Sequence, residues 1–377
     1  MSDKTLTMLA VGDLILFHPE PESLFALVAP VLRAADVVVG QGEVPFTTRS
    51  MTTSEKGVFA RVPNPPCDPK GINALKSAGF NVITFATNHM LDGGVEGIED
   101  TLAGLRNVNI SIVGAGMNLD EARKPAIIES HGIRFGFLAY NCVGPKKTWA
   151  SVNSPGCAYL HIVTAYELDE PCPGAPPTIY TFAEPRSLQA MVDDIHKLRP
   201  LCDILVTKLH KGVGFRRAMI AMYEQQVSYA AIDAGADLIL AEHAHILKGI
   251  ELYKGKMIFH GLGNFVCSFR NFHPEYLQEL RKRTEDFYHI KFDPEDPPWI
   301  WWHPEAMMTI IAKFIIREGE IIRVSYLPCL INKQEQPEIL KNNERGEQVF
   351  DYMDKITKEA GLNARFEWEE DEVVIHQ

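Results

Sequence analysis

The seven cysteines of this chain, at positions 67, 142, 157, 172, 202, 267 and 329, include no C-x-x-C pair, so the spacing that builds zinc ribbons and dithiol redox centres is missing. An odd, scattered set reads as reduced structural thiols. Long apolar runs are missing too. Nothing approaches the roughly 20 residues of a membrane span. The opening MSDKTLTMLAVGD has an acidic residue near its start and too short an apolar stretch for a secretory leader. The expectation is a cytoplasmic protein with no membrane partner. Positive charge is scarce as well: a formal net charge of -12 leaves no general basic face to neutralise phosphates. This speaks against nucleic acid as a partner and leaves only local positive pockets for small anions. Neither an internal repeat nor a low-complexity tail is visible.

What is present suffices for a sizeable core: 46% hydrophobic, 23% charged and 9% aromatic residues describe a globular chain with disorder confined to loops. A length of 377 residues could hold one large α/β domain or two smaller ones, and the reading adopted is one layered domain over 1–377. TLTMLAVGD reads as a strand, 22–34 as a helix and DVVVG as the next strand; a helix over 69–77, strand FNVITFA, a helix over 95–106 and strand ISIVG follow. AIIESHGIRFGFLAY reads as a hairpin, a loop rich in proline and glycine covers about 141–177, and a helix over 185–198 and strand DILVTKLH resume the pattern. Such alternation predicts an α/β fold of sheets packed against helices. Regularity fails over 269–305, where FDPEDPPWIWWHPEAMM mixes prolines with Trp299, Trp301 and Trp302; this is predicted to be an inserted loop or lid.

Five separated segments put acid, amide or imidazole groups just past apolar strands. They are AVGDLILFH with Asp13 and His18, GQGEVPFT with Glu43, FATNHMLDGG with Asn88, His89 and Asp92, VTKLHKGVGF with His210, and AEHAH with His243 and His245. The carboxyl ends of strands in a doubly wound sheet converge on one crevice, so these groups can share a site. Imidazole with carboxylate suits borderline cations such as Zn, Mn, Fe or Ni, and an amide oxygen can complete the shell. One carboxylate bridging two cations about 3.5–4 Å apart would let both act on one hydroxide and one substrate oxygen. Each residue also has a bland reading: Asp13 as a cap, Glu43 as a solvated loop residue, Asn88 as a turn former, a strand-end histidine as hydrogen-bonded at a turn. Recurrence after five strands tips the balance toward metal. His243 and His245, alternating along an extended segment, would point in different directions and serve one cation each.

In order and content these motifs resemble the CapA-like, or poly-γ-glutamate capsule biosynthesis, family, whose fold is related to that of the calcineurin-like metallophosphoesterases. The resemblance runs from residue 6 to about 269 through VGD, the loop of Glu43, TNHMLDGG, LHKG, EHAH and ELYKGKMIFHGLGNFV. It implies a layered metallophosphatase-like fold and two divalent transition-metal ions held by Asp13, Glu43, Asn88, His210, His243 and His245, with Glu43 as the bridge. It also implies that His89 is a general acid, its ring held and its protonated form favoured by Asp92. His18 stands open between ligation and a structural role, since its spacing from Asp13 is not D-x-H. GLGNF is expected to pack near the cations without binding them.

The chain departs from the family pattern in LHKGVGF, which places Lys211 and Phe215 where relatives carry a tryptophan and an acidic-aromatic pair, and in Ala244, where relatives read H-P-H. The family's substrate is therefore not carried over. Arg61, Lys211, Arg216 and Arg217 are candidates to meet an anionic group, though each also reads as a solvated charge. Trp301 and Trp302, with Trp299 and His303, are candidates to roof the site against an aromatic or apolar substrate, or simply to pin a long loop. The expected function is a dinuclear metal-dependent hydrolase. A hydroxide shared by the metals would attack a phosphoester, or a carboxylic ester, lactone or amide centre, and His89 would protonate the leaving group. The partner is a small molecule, with oligomerisation left open. The alternative is a non-catalytic component of capsule polymer synthesis, against which the missing membrane anchor speaks.

Overall fold

Strand β1 (Leu6–Leu16) is the centre of a first sheet, with β2 (Val37–Gly42), β3 (Val82–Thr84) and β4 (Ser111–Val113) added in parallel on one side. The structure, a computed structural model, describes residues 5–49, 67–167 and 177–376. A second sheet is formed by β5 (Ala126–Ser130), β6 (Ile133–Asn141), β7 (Ile204–Lys211), β8 (Leu238–His243), β9 (Leu247–Tyr253) and β10 (Lys256–Leu262) in the spatial order β9-β10-β8-β7-β6-β5, with β6, β7, β8 and β10 parallel. The chain then returns to the first sheet with β11 (Asn264–Ser268), β12 (Met308–Arg317), β13 (Glu320–Ile331), β14 (Pro337–Ile339), β15 (Arg365–Glu369) and β16 (Glu372–His376). The order there is β15-β16-β13-β12-β1-β2-β3-β4. On the free side of β1, the first half pairs with β12 and the part from Asp13 onward pairs with β11.

Side chains of successive residues go to opposite faces, as the pleat requires. Met8, Val39, Phe137, Val206 and Leu240 meet in one cluster that takes residues from both sheets. Their neighbours in sequence go to the helix side: Leu9 and Val38 join one outer cluster, and Leu138, Leu205 and Ile239 join another with Ile195 and Val227 of helices Pro185–Leu198 and Met222–Asp233. Two sheets face each other with helices outside, the α/β layering expected from the alternation of elements. Burial on both faces explains why β1, β2 and β7 read as apolar runs rather than as alternating patterns.

Three details differ from the sequence reading. The helix expected over 22–34 is a 3-10 turn, Pro21–Phe25, followed by a short helix, Ala29–Ala34, because Pro30 supplies no N–H and suits a first helical turn, not the middle of one. The loop of 141–177 contains a strand, Ile162–Glu167, which pairs antiparallel with Thr178–Ala183. The insertion is not wholly irregular: it holds a helix, Pro274–Tyr288, whose Tyr276, Leu277 and Leu280 pack on the body at a helical spacing that the prolines and tryptophans farther along overshadowed. No helix among the described residues is long and apolar enough to cross a membrane. The six described cysteines are buried free thiols, and Cys172 lies outside the described residues.

Candidate metal centre

The ligand candidates sit where strands end, and the parallel direction of those strands brings the ends together. Glu43 follows β2, Asn88 and His89 follow β3, His210 lies one residue short of the end of β7, and His243 ends β8. Asp13 lies in β1 where the pairing with β11 slips, a bulge between Asp13 and Leu14 that re-aims the side chain.

One group is made by Glu43, His210 and His243, which each offer a ligand atom within 4.8 Å of the others. His210 Nε2 lies 2.7 Å from Asn88 Oδ1, 3.2 Å from His243 Nδ1 and 3.6 Å from Glu43 Oε1. A second group is made by Asp13 and His245: His245 Nδ1 lies 3.4 Å from Asp13 Oδ2 and 2.8 Å from Asn264 Oδ1. Glu43 feels the charge of Asp13, which puts the Glu43 carboxylate beside both groups. His243 and His245 do not alternate along an extended segment as expected. β8 ends at His243, and both residues take left-handed backbone angles, with φ of 105° and 56°. Such conformations persist only where the surroundings impose them, and they cluster at functional sites.

Asp13 Oδ1, both Glu43 carboxylate oxygens and His210 Nδ1 are buried without a hydrogen-bond partner. A buried polar atom left in that state costs about 1–3 kcal/mol, so the three carboxylate oxygens beside the histidines form a donor set suited to a cation. Burial, and next the charge of Glu242, holds Asp13 well above the usual carboxylate range, while burial and then Asp13 do the same to Glu43. Burial moves the imidazoles the other way: His243 is pushed down to about 3, His245 to about 4, and His210 well below its ordinary value. Neutral imidazoles beside crowded carboxylates are what divalent cations require. The residues fit such ions.

His89 stands beside this donor set, with one ring nitrogen held by Asp92 and the other turned toward Glu43. Its Nδ1 lies 2.7 Å from Asp92 Oδ2, and its Nε2 faces Glu43 Oε1 at 3.7 Å. The backbone N–H of His89 donates to Thr87 Oγ1 at 3.1 Å, which helps hold the turn.

The profile of the family described as bacterial capsule synthesis protein PGA_cap matches residues 7–268. The chain belongs to that family. Among its relatives are the PGA biosynthesis protein CapA of Bacillus subtilis, 29% identical over 275 residues, covering 70% of this chain and 64% of that protein, and the capsule biosynthesis protein CapA of Bacillus anthracis, 25% identical over 275 residues, covering 70% and 60%. A probable polyglutamine synthesis accessory protein of Mycobacterium tuberculosis is 28% identical over 254 residues, covering 66% and 60%. The chain thus spans less than two thirds of the length of these relatives. Among solved structures, a hypothetical protein from Thermus thermophilus is similar with a TM-score of 0.45 at 14% identity, over 86% of this chain and 98% of that one. The NAD nucleotidase NadN of Haemophilus influenzae is similar with a TM-score of 0.38 at 12% identity, over 93% and 63%.

Within this PGA_cap chain the substrate candidates divide. Lys211 is fully buried, and residue 211 shares the outward face of β7 with Leu209. Its Nζ lies 2.8 Å from His260 Nδ1 and 3.5 Å from Glu224 Oε2 of the helix layer, so it belongs to an internal network and not to a substrate wall. The period of two that puts Lys211 opposite His210 was readable in VTKLHK. Trp302 is 6% exposed and its ring lies 5.1 Å from His245, while Phe215 lies 5.8 Å from His245 and 5.9 Å from Trp302. Trp301 stacks on Trp302 at 4.1 Å and packs on Phe269 at 5.1 Å, one step farther out. The insertion therefore reaches the second group through Trp302.

His18 accepts the Glu20 N–H on Nδ1 at 2.9 Å, a local turn contact outside both groups. Arg217 pairs with Glu305 and Glu359, and Arg216 lies over Phe287. Arg61 lies outside the described residues. Sequence reasoning missed Lys208 and Glu242, a fully buried pair 3.1 Å apart; the residue two before His210 shares its face, and that parity was the available signal. It also expected GLGNF, the segment that carries Asn264, to pack near the cations without binding them.

Proposed function

We propose that the chain is a hydrolase that depends on two divalent transition-metal ions and acts on a small ester-type substrate. The observation that carries this reading is Glu43: a fully buried carboxylate whose two oxygens have no hydrogen-bond partner, set beside both groups of ligand candidates. Asn88, His210 and His243 with Glu43 would hold one ion, and Asp13 and His245 with Glu43 the other. When bound, such ions polarise a substrate oxygen and make water acidic enough to supply a nucleophile near neutral pH.

The rest falls to the chain's own side chains. Asp92 accepts from His89 Nδ1–H and fixes the ring so that Nε2 is turned toward the cluster. In the protonated ring, the Nε2 proton passes to the departing oxygen or nitrogen of the substrate, and Asp92 holds the imidazole in place throughout. The near-complete burial of Glu43, His210 and Asp13 keeps bulk water away, so that these charges act at short range with little screening. Trp302 and Phe215 offer an aromatic wall to the substrate beside His245. A phosphoester, a carboxylic ester, a lactone or an amide all place an acceptor oxygen at the reacting centre and a leaving group within reach of His89. The partner in this reading is a small molecule, anionic or aromatic, and neither nucleic acid nor membrane.

A second reading follows from the names of the relatives, which tie them to capsule or polyglutamate synthesis: the chain would serve polymer synthesis without turnover of its own. Elemental analysis after metal repletion, joined to a panel of phosphate esters, carboxylic esters, lactones and amides, decides between them. Close to two ions per chain with turnover on one substrate class is the expected result. Two ions with no turnover on any class favours the accessory role, and no metal at all removes the hydrolase reading.

A further inference from the structure

The two groups of ligand candidates share a pattern. In the first, an asparagine oxygen lies 2.7 Å from a histidine nitrogen that also faces the shared Glu43 carboxylate: Asn88 Oδ1 against His210 Nε2. In the second, Asn264 Oδ1 lies 2.8 Å from His245 Nδ1, which also faces the Asp13 carboxylate at 3.4 Å. Asn264 is completely buried, and the direction of its amide is set from behind, because Nδ2 donates to the Ala306 carbonyl at 3.4 Å. The oxygen is left facing His245, the histidine that also faces Asp13.

The backbone is committed to this placement. Asn264 sits directly opposite Asp13 in the β1–β11 pairing, and the Asp13 N–H donates to the Gly263 carbonyl at 3.0 Å. A Cβ on Gly12 would stand 1.9 Å from the Gly263 oxygen, and Gly263 itself has a φ of 70°. Glycine at both positions lets the two strands approach closely enough to pair Asn264 with Asp13 across them.

We infer that Asn264 is a direct oxygen ligand of the second cation, the counterpart of Asn88 at the first. This rests on the two-cation reading above. A neutral amide oxygen adds a donor to Asp13, His245 and the shared Glu43 without adding charge to a site already crowded with carboxylates, and it suits the borderline cations that imidazole and carboxylate select. Asn264 also connects the insertion to the centre, since Ala306, which orients its amide, belongs to the turn Pro304–Met307 that closes the tryptophan segment.

The test is a crystal structure of the wild-type chain loaded with Mn2+, located by anomalous diffraction, together with Mn2+ titrations of the metal-free protein followed by electron paramagnetic resonance. Two Mn2+ ions are expected, with Asn264 Oδ1 within about 2.0–2.3 Å of the one that Asp13 also binds. Asn264→Ala should weaken the second equivalent by about 10- to 100-fold and leave the first unchanged, while Asn264→Asp, which keeps an oxygen, should restore the second. Two bound ions with Asn264 Oδ1 beyond bonding distance, hydrogen-bonded only to His245 Nδ1, overturns the assignment and leaves the two-cation reading standing. Failure of the wild-type protein to bind two Mn2+ ions removes both. The wild-type structure decides the matter even if Asn264→Ala does not fold.

Discussion

The two halves of the candidate centre draw their ligand candidates from the same stretch of chain and differ in what surrounds them. Glu43, Asn88, His210 and His243 all fall inside the stretch that matches the PGA_cap profile, residues 7–268. Asp13 and His245 fall inside it too, but their group is walled by Trp302 and its Asn264 is oriented by Ala306, both of which lie beyond residue 268. The first group thus lies wholly within the family-matched stretch. The second joins candidates from that stretch to a wall that the insertion supplies through Trp302.

The strongest way to break this comparison is Glu43→Ala. If the carboxylate is shared, both ions and all activity are lost together, and elemental analysis should fall from about two ions per chain toward none; loss of a single ion would show that the halves are independent. His89→Ala should keep most of the metal and slow turnover by about 10²- to 10⁴-fold, read as kcat beside metal content. An emptied centre in that variant would make His89 a ligand of the first group instead.

Metal uptake should depend on pH, with a sign set by the carboxylates. Asp13 and Glu43 are held above their ordinary range by burial first, and next by the charge of Glu242 at Asp13 and of Asp13 at Glu43, so the metal-free protein keeps protons there that the cations must expel, whereas the imidazoles, depressed by burial, are already neutral. Affinity should therefore rise with pH from the ordinary carboxylate range upward, by about tenfold per unit for each proton released, and level off above the raised values. Calorimetric titration in buffers of different ionisation enthalpy counts those protons, and a pH-independent affinity between pH 5 and 8 would contradict the picture. The smallest effect is expected from Trp302→Phe, which should change KM or substrate preference several-fold with metal content unchanged, because Trp302 touches His245 but offers the centre no ligand atom of its own kind. Trp302→Ala is a poorer probe, since emptying so buried a position costs about 3–5 kcal/mol of stability; melting temperature should accompany the kinetics.

Much of the centre was legible because its residues follow apolar strands, and strand ends in a parallel sheet converge whatever the loops do. The positions of His89 beside Asp92 and of His210 beside Asn88 are of this kind. Lys211 was misplaced because a charged side chain after a histidine suggests a site, when its parity along β7 sends it to the helix layer. The divergence of His243 and His245 was expected from alternation and arises instead from left-handed backbone at both residues. The helix Pro274–Tyr288 escaped although Tyr276, Leu277, Leu280 and Thr284 recur at helical spacing, because its neighbours rich in proline and tryptophan led the whole insertion to be read as irregular.

Fold class and the set of chemistry-bearing strand ends were thus determined by the sequence alone, since hydrophobic period and chain direction are local properties. Which of those groups meet, which face each strand residue takes beside its neighbours, and that Asn264 and Trp302 come to His245 were decided only by tertiary structure. The physical reason is that these contacts join residues far apart in the chain, through the slip between β1 and β11 and the close approach of Gly12 to Gly263, and no period along the sequence records such an approach.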